Sequence, residues 1–173
     1  MGQAIRCVLG WTAMPSRWFA VAIVLALVAC TGQVSPHQTA LPCTDCPLVE
    51  VLSVIDGDTF RSSIGNIRLF GASTPERGQL CGSEATQRLL ELSGQRVRVE
   101  EGPRLKSYER FLFYVYTEDG NSIDELLIRE GFAEAWKRDG QHRNILIELE
   151  QQAKAEGVGC LWGGAYRPPS TTK

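Results

Sequence analysis

The stretch from Leu48 to Phe70 leaves this chain few folds to choose from. Three short β-rich runs, Leu48–Ile55, Thr59–Ser63 and Ile67–Phe70, follow one another with only a few residues between them. Gly57 and the pair Gly65-Asn66 supply the tight-turn chemistry at the two joins. Strands joined this closely read as a meander. Pro75 then ends the pattern, because proline cannot donate to a sheet ladder. Arg77–Gly82 reads as a loop, and Ser83–Leu92 has helical spacing (Ala85, Leu89, Leu90, Leu92) with Gly94 as its stop. Arg96–Glu101 alternates as a fourth strand, and Phe111–Tyr116 is a continuous apolar fifth that ends at Asp119-Gly120. Two helices follow. Ile123–Arg129 has Ser122 as its cap and Gly131 as its end, and Asn144–Glu156 carries Ile145, Leu146, Leu149 and Ala153 on one stripe. Five short strands, a helix after the third and two helices after the fifth fit an α+β, mainly β class: a five-stranded OB-type barrel with three packed helices.

The same stretch carries the chemistry. Asp56 and Asp58 close the first strand, Arg68 comes ten residues after Asp58, and Glu76 ends the segment. Carboxylates can hold a hard cation, a guanidinium grips a phosphate, and a further carboxylate can handle a water. Those are the parts of a metal-assisted phosphodiesterase. Each residue alone has a plainer reading: Asp56 and Asp58 as turn residues around Gly57, Arg110 as a surface charge, Tyr108 as packing. Trp136 could stack on a base of a single strand, with core packing as its plainer role. His142 is expected in a solvated loop, and no Ser-His-Asp arrangement is suggested.

Charge restrains the partner. The chain has a formal charge of −2 and is not basic overall, which counts against strong general affinity for nucleic acid and leaves a local basic groove as the route to it. At the N-terminus, residues 1–17 hold Arg6 and Arg17 and no acid, and residues 18–29 (WFAVAIVLALVA) are apolar. A basic region followed by a short apolar run reads as a signal peptide over 1–29, too short for a comfortable membrane span. Leu27-Val28-Ala29-Cys30 resembles the bacterial lipobox, which implies cleavage before Cys30 and its lipidation. An ordinary signal peptide or an uncleaved anchor is the alternative. The lipobox reading places the protein in the cell envelope, exported and held at a membrane by its lipid, and Thr31 after the cysteine is compatible with an outer membrane. Residues 30–47, polar and rich in proline, read as a flexible tether, and the tail 163–173 as disordered.

Beyond Cys7 and Cys30 there remain Cys43, Cys46, Cys81 and Cys160, an even number in a chain that looks exported. Of three possible connectivities, Cys43–Cys46 with Cys81–Cys160 is favoured, the second pair flanking the folded region. A redox-active CxxC, or a zinc half-site with His37, is the competing reading of Cys43 and Cys46.

Taken together, Val51 to Trp162 resembles the staphylococcal nuclease, or thermonuclease-like, family. The resemblance rests on VIDGDT at Val54–Thr59, Arg68-Leu69, Thr74-Pro75-Glu76, Glu84-Ala85 opening a helix, Tyr108 to Arg110, LIREGFA at Leu127–Ala133, and the closing run from Ala153 to Trp162. It implies a five-stranded OB barrel over 48–162 and calcium-dependent hydrolysis of DNA and RNA to 3′-phosphate products. By position, Asp58 would be the principal Ca²⁺ carboxylate, Thr74 would offer its carbonyl, and Asp56 would stand one layer behind. Glu76 would orient or deprotonate the attacking water, Arg68 and Arg110 would grip the scissile phosphate, and Tyr108 would touch substrate phosphate. One departure weakens the set: the family has a second calcium aspartate where this chain has Ser73, a neutral ligand that lowers the charge on the ion. Ser107 likewise stands where a Lys or Arg is common. A non-catalytic OB module that binds nucleic acid or protein is therefore the rival reading, and a structural envelope lipoprotein a third. A monomer is the default state.

Overall fold

The alternating and apolar runs do form strands, and the strands close on themselves. The computed structural model describes residues 39–163. In chain order these fold as β1 (Leu48–Val54), β2 (Thr59–Ser62), β3 (Gly65–Leu69), β4 (Ala72–Ser73), α1 (Gly82–Ser93), β5 (Arg96–Ser107), β6 (Arg110–Thr117), α2 (Ile123–Arg129), β7 (Glu134–Ala135), α3 (Arg143–Glu156) and α4 (Gly159–Gly163). Five strands form a closed, OB-like barrel in the order β1-β2-β3-β6-β5. The seam is the parallel pair β3–β6, in register Arg68↔Leu112, while the other barrel pairs are antiparallel. Period-2 alternation sends Phe60, Ile67, Leu69, Val97 and Val115 into a dry interior. Leu89 of α1, Leu127 of α2 and Leu146 of α3 belong to the same core, so the helices pack on the barrel by their apolar stripes. Ser122 caps α2 through the Glu125 N–H, as its place in the sequence predicts.

Four expectations need correction. The stretch expected to be a flexible tether is docked over its described part, residues 39–47. The Ala40 and Leu41 N–H groups donate to the two oxygens of the buried Glu125 carboxylate at 2.9 and 3.0 Å, and the Ser122 N–H donates to Thr39 Oγ1 at 3.0 Å. Cys43 N–H bonds Gly120 O, and Val99 N–H bonds Pro47 O. No local period marks such a segment; its partners are more than fifty residues away. Second, β5 runs on to Ser107 rather than ending at Glu101. Its ladder breaks between Glu101 and Lys106, where Pro103 can sit, and then resumes with Ser107↔Arg110. Third, a short fourth helix, α4, and a two-residue ladder, β4–β7, were not anticipated. Fourth, His142 is no solvated loop residue: it stands at the start of α3 with Nε2 2.8 Å from Glu100 Oε2.

Both favoured disulfides are present, Cys43–Cys46 and Cys81–Cys160, with Cα separations of 5.5 and 5.7 Å. The expected signal peptide over 1–29, Cys30, His37 and the residues beyond Gly163 lie outside the described residues. Among those described, no helix is long and apolar enough to cross a membrane.

Candidate active site

The site begins in the β1–β2 turn. Ile55 and Asp56 N–H both donate to Thr59 O, and Asp58 N–H donates to Asp56 Oδ1 at 3.1 Å, so Asp56 shapes the bend that presents Asp58. Gly57 is required here by space and not by a left-handed φ. A Cβ there would lie 2.5 Å from Thr74 Oγ1 and 2.7 Å from Ala85 Cβ of α1. The aspartate turn is thus wedged between the residues after β4 and the first turn of α1.

Asp58 ends up buried, 2% exposed, at the centre of a polar junction. Its Oδ1 accepts from Arg68 Nη1 at 2.5 Å and Thr59 Oγ1 at 2.8 Å, and its Oδ2 accepts from Thr74 N–H at 3.1 Å. Burial pushes the Asp58 carboxyl up to about 6, and the Arg68 guanidinium, the Thr74 N–H and the Thr59 hydroxyl pull against that rise. Arg68 Nη2 reaches on to Ser73 Oγ at 3.3 Å. Asp58, Arg68, Ser73 and Thr74, with Asp56 behind them, are therefore gathered into one hydrogen-bonded group.

The other residues singled out from the sequence stand around this group without bonding to it. Glu76 is on an exposed loop two residues past Thr74. Arg110 opens β6 and is half-buried; two residues before Leu112, the partner of Arg68, it shares the Arg68 face of the sheet. Tyr108 is 93% exposed at the β5–β6 turn, with a φ of 56°. Trp136 takes the plainer of its two expected roles. It packs against the core, and it lines a cavity of about 70 Å³ together with Arg68, Phe70, Arg104, Ser107 and Leu112.

Arg104 and Asp139 were not anticipated. The Arg104 guanidinium lies 5.6 Å from the Phe70 ring centre and 5.9 Å from that of Trp136, and its Nε donates to Asp139 Oδ2 at 2.8 Å. Asp139 Oδ1 accepts from Trp136 Nε1 at 2.7 Å. The basic run Arg104-Leu105-Lys106 was the available signal, and it lies after Pro103, between the two expected strands and outside either.

The donors available to a cation are two carboxylates (Asp58, Asp56), the Ser73 hydroxyl and the Thr74 carbonyl. All are oxygens, which suits a hard ion. Asp58 Oδ2 accepts a single hydrogen bond and retains a lone pair for a cation. Among the described residues no group of three His, Cys, Asp or Glu side chains is placed to hold a metal ion, so a cation here would draw few ligands from the protein. The set fits a weakly held hard cation.

A closed OB-like barrel with a buried aspartate, an arginine locked to it and a second arginine on the same face belongs to a class whose guanidinium forks suit phosphate oxygens. The family model for staphylococcal nuclease homologues matches residues 66–163. The chain belongs to that family. It is 32% identical over 127 residues to the micrococcal nuclease of Shigella flexneri, covering 65% of this chain and 72% of that protein. It is 29% identical to the succinoglycan biosynthesis protein ExoI of Rhizobium meliloti, covering 67% of this chain and 65% of that protein. To the SPbeta prophage-derived endonuclease YokF of Bacillus subtilis it is 31% identical, covering 62% of this chain and 41% of that protein. The chain thus spans less than two thirds of the second and third of these.

Proposed function

We propose that this protein is an endonuclease: a calcium-dependent phosphodiesterase that hydrolyses DNA or RNA, preferably single-stranded, to 3′-phosphate products. The observation that carries the reading is the junction of Asp58 with Arg68 and Thr74, on a barrel of the staphylococcal nuclease family whose relatives include a micrococcal nuclease and an endonuclease. Asp58, the Thr74 carbonyl and the Ser73 hydroxyl would hold the ion, with Asp56 shaping the turn behind. Calcium bound there supplies positive charge against the phosphodiester. Arg68 and Arg110, on one face, each offer a planar fork of donors to the phosphate oxygens, where charge builds as the bond breaks. Glu76 takes the proton of the attacking water. Tyr108 and Trp136 border the path of the strand, the first by its hydroxyl and the second by its ring.

The N-terminal pattern supports export, a lipid on Cys30 and a position in the bacterial envelope, outer membrane included; a monomer is the default state. The domain limits that go with this reading are a signal peptide over 1–29, a folded domain that includes α4 and so extends to Gly163 rather than 162, and a tail after it. Ser73 and the sparse donor set favour the rival, a nucleic-acid-binding module without catalysis. Cleavage of single-stranded DNA by the oxidised protein, with calcium or with chelator, decides between them. Calcium-dependent cleavage that an Asp58→Ala protein loses is the expected outcome. A folded protein that binds the strand and leaves it whole at millimolar calcium hands the case to the module.

A further inference from the structure

Glu76 sits on a loop held chiefly at its ends. At the leading end, Thr74 N–H is bonded to the buried Asp58 carboxylate at 3.1 Å. Inside the loop, Glu76 N–H donates to Gln79 Oε1 at 3.0 Å, Gln79 N–H to Glu76 O at 3.0 Å, and Gly82 N–H to Gln79 O at 3.1 Å. Residues 76–80 are all exposed, Leu80 by 82%, so no buried side chain anchors this turn. The first buried residue after it is Cys81, at 2%. Gly82 then lies so close that any side chain there would overlap the Glu76 carbonyl, with Pro75 O next at 3.2 Å. The Glu76 turn therefore rests directly on the first residues of α1.

Cys81 is an unusual residue for that place. Its φ is 72°, a region that residues other than glycine seldom occupy, and its side chain makes no capping bond to α1. The side chain is instead joined to Cys160 of α4. That helix is fixed in turn to the end of α2, where Leu161 N–H bonds Gly131 O at 3.0 Å and Gly159 packs against Glu130 and Gly131.

We infer that the Cys81–Cys160 disulfide is a positioning element for the reaction: it pins the trailing end of the Glu76 loop and so sets where the carboxylate meets the attacking water. The inference rests on the nuclease reading. A dithiol that opens the bond gives up two electrons and two protons, leaves as its own disulfide, and frees two thiols. The enzyme is then competent in an oxidising compartment and slack in a reducing one. Both cysteines are buried, so substitution tests the link more cleanly than added reductant.

The experiment compares the full oxidised chain with Cys81→Ala/Cys160→Ala and with Cys81→Gly/Cys160→Ala, whose glycine accepts the 72° φ without the link. Amide exchange is read at Gln79 and Gly82 and, as an internal standard, at Leu69, which bonds Asp58 O inside the barrel. Both variants are expected to lose protection at Gln79 and Gly82 while Leu69 keeps its own. Cleavage of single-stranded DNA should fall about 10- to 100-fold in kcat with KM nearly unchanged. Protection at Gln79 and Gly82 that survives overturns the inference. So does a loss spread equally over Leu69, which marks a purely global effect, an unchanged kcat, or full recovery in the glycine variant. If the oxidised wild type does not cleave at all, the nuclease reading fails, and the exchange data alone still decide whether the bond holds the loop.

Discussion

Asp124 offers the most quantitative test of the physics. It lies in the first turn of α2 and is wholly buried; Oδ1 accepts Gly71 N–H at 2.7 Å and Oδ2 accepts Val115 N–H at 3.0 Å. Burial drives its carboxyl from 3.8 up to about 6, against the pull of those two N–H groups and, more weakly, of His142. A carboxyl with a raised pKa favours the fold in its protonated form. Its contribution is full below the unfolded value near 3.8 and disappears as pH rises through about 6. That shift corresponds to about 3 kcal/mol. Asp124→Asn removes the titration, but its amide has one acceptor oxygen for two N–H donors, and the orphaned donor costs about 1–3 kcal/mol. The variant should therefore be clearly less stable than wild type at pH 4 and equal to it or more stable at pH 7. Urea unfolding of both proteins at half-unit steps, with equal m-values, gives the difference directly and cancels the other titrating groups, Asp58 among them. A difference that stays flat from pH 4 to pH 7 would refute the raised pKa and the burial argument behind it.

Three further outcomes are expected. Gly57→Ala should cost about 1–3 kcal/mol and weaken cleavage, because its methyl must displace Thr74 or Ala85; an unchanged urea midpoint would contradict the wedge. Ser73→Asp should lower the calcium concentration for half-maximal cleavage roughly tenfold by adding a charged ligand, measured by titrating activity against the metal. Glu125→Gln should cost about 2 kcal/mol and open residues 39–47 to proteolysis, since one carboxylate oxygen that now receives an arm N–H becomes a donor.

The barrel was legible because period-2 alternation and tight turns are local signals: Gly65-Asn66 and Asp119-Gly120 mark chain reversals wherever they occur. The neighbourhood of Asp58 and Arg68 was legible because they fall on adjoining strands of the meander, whereas Thr74 entered only through the family resemblance. What stayed hidden depended on distant partners. The docking of Thr39–Leu41 needs Glu125, and the return of β5 beyond Pro103 needs β6 beside it. The Arg104–Asp139 pair joins two segments that no local pattern connects. Gly57 was noticed for the right place and the wrong cause, since a glycine chosen for space and one chosen for φ look alike in a sequence.

The docked arm also has a mechanical consequence. If Cys30 carries a lipid, residues 31–38 separate the anchor from Thr39, the first described residue held to the barrel. Fully stretched, such a leash reaches about 30 Å, roughly the width of the domain itself. Had residues 39–47 been free, it would have doubled. If that anchor is present, the docked arm brings the barrel closer to the membrane surface than a free one would.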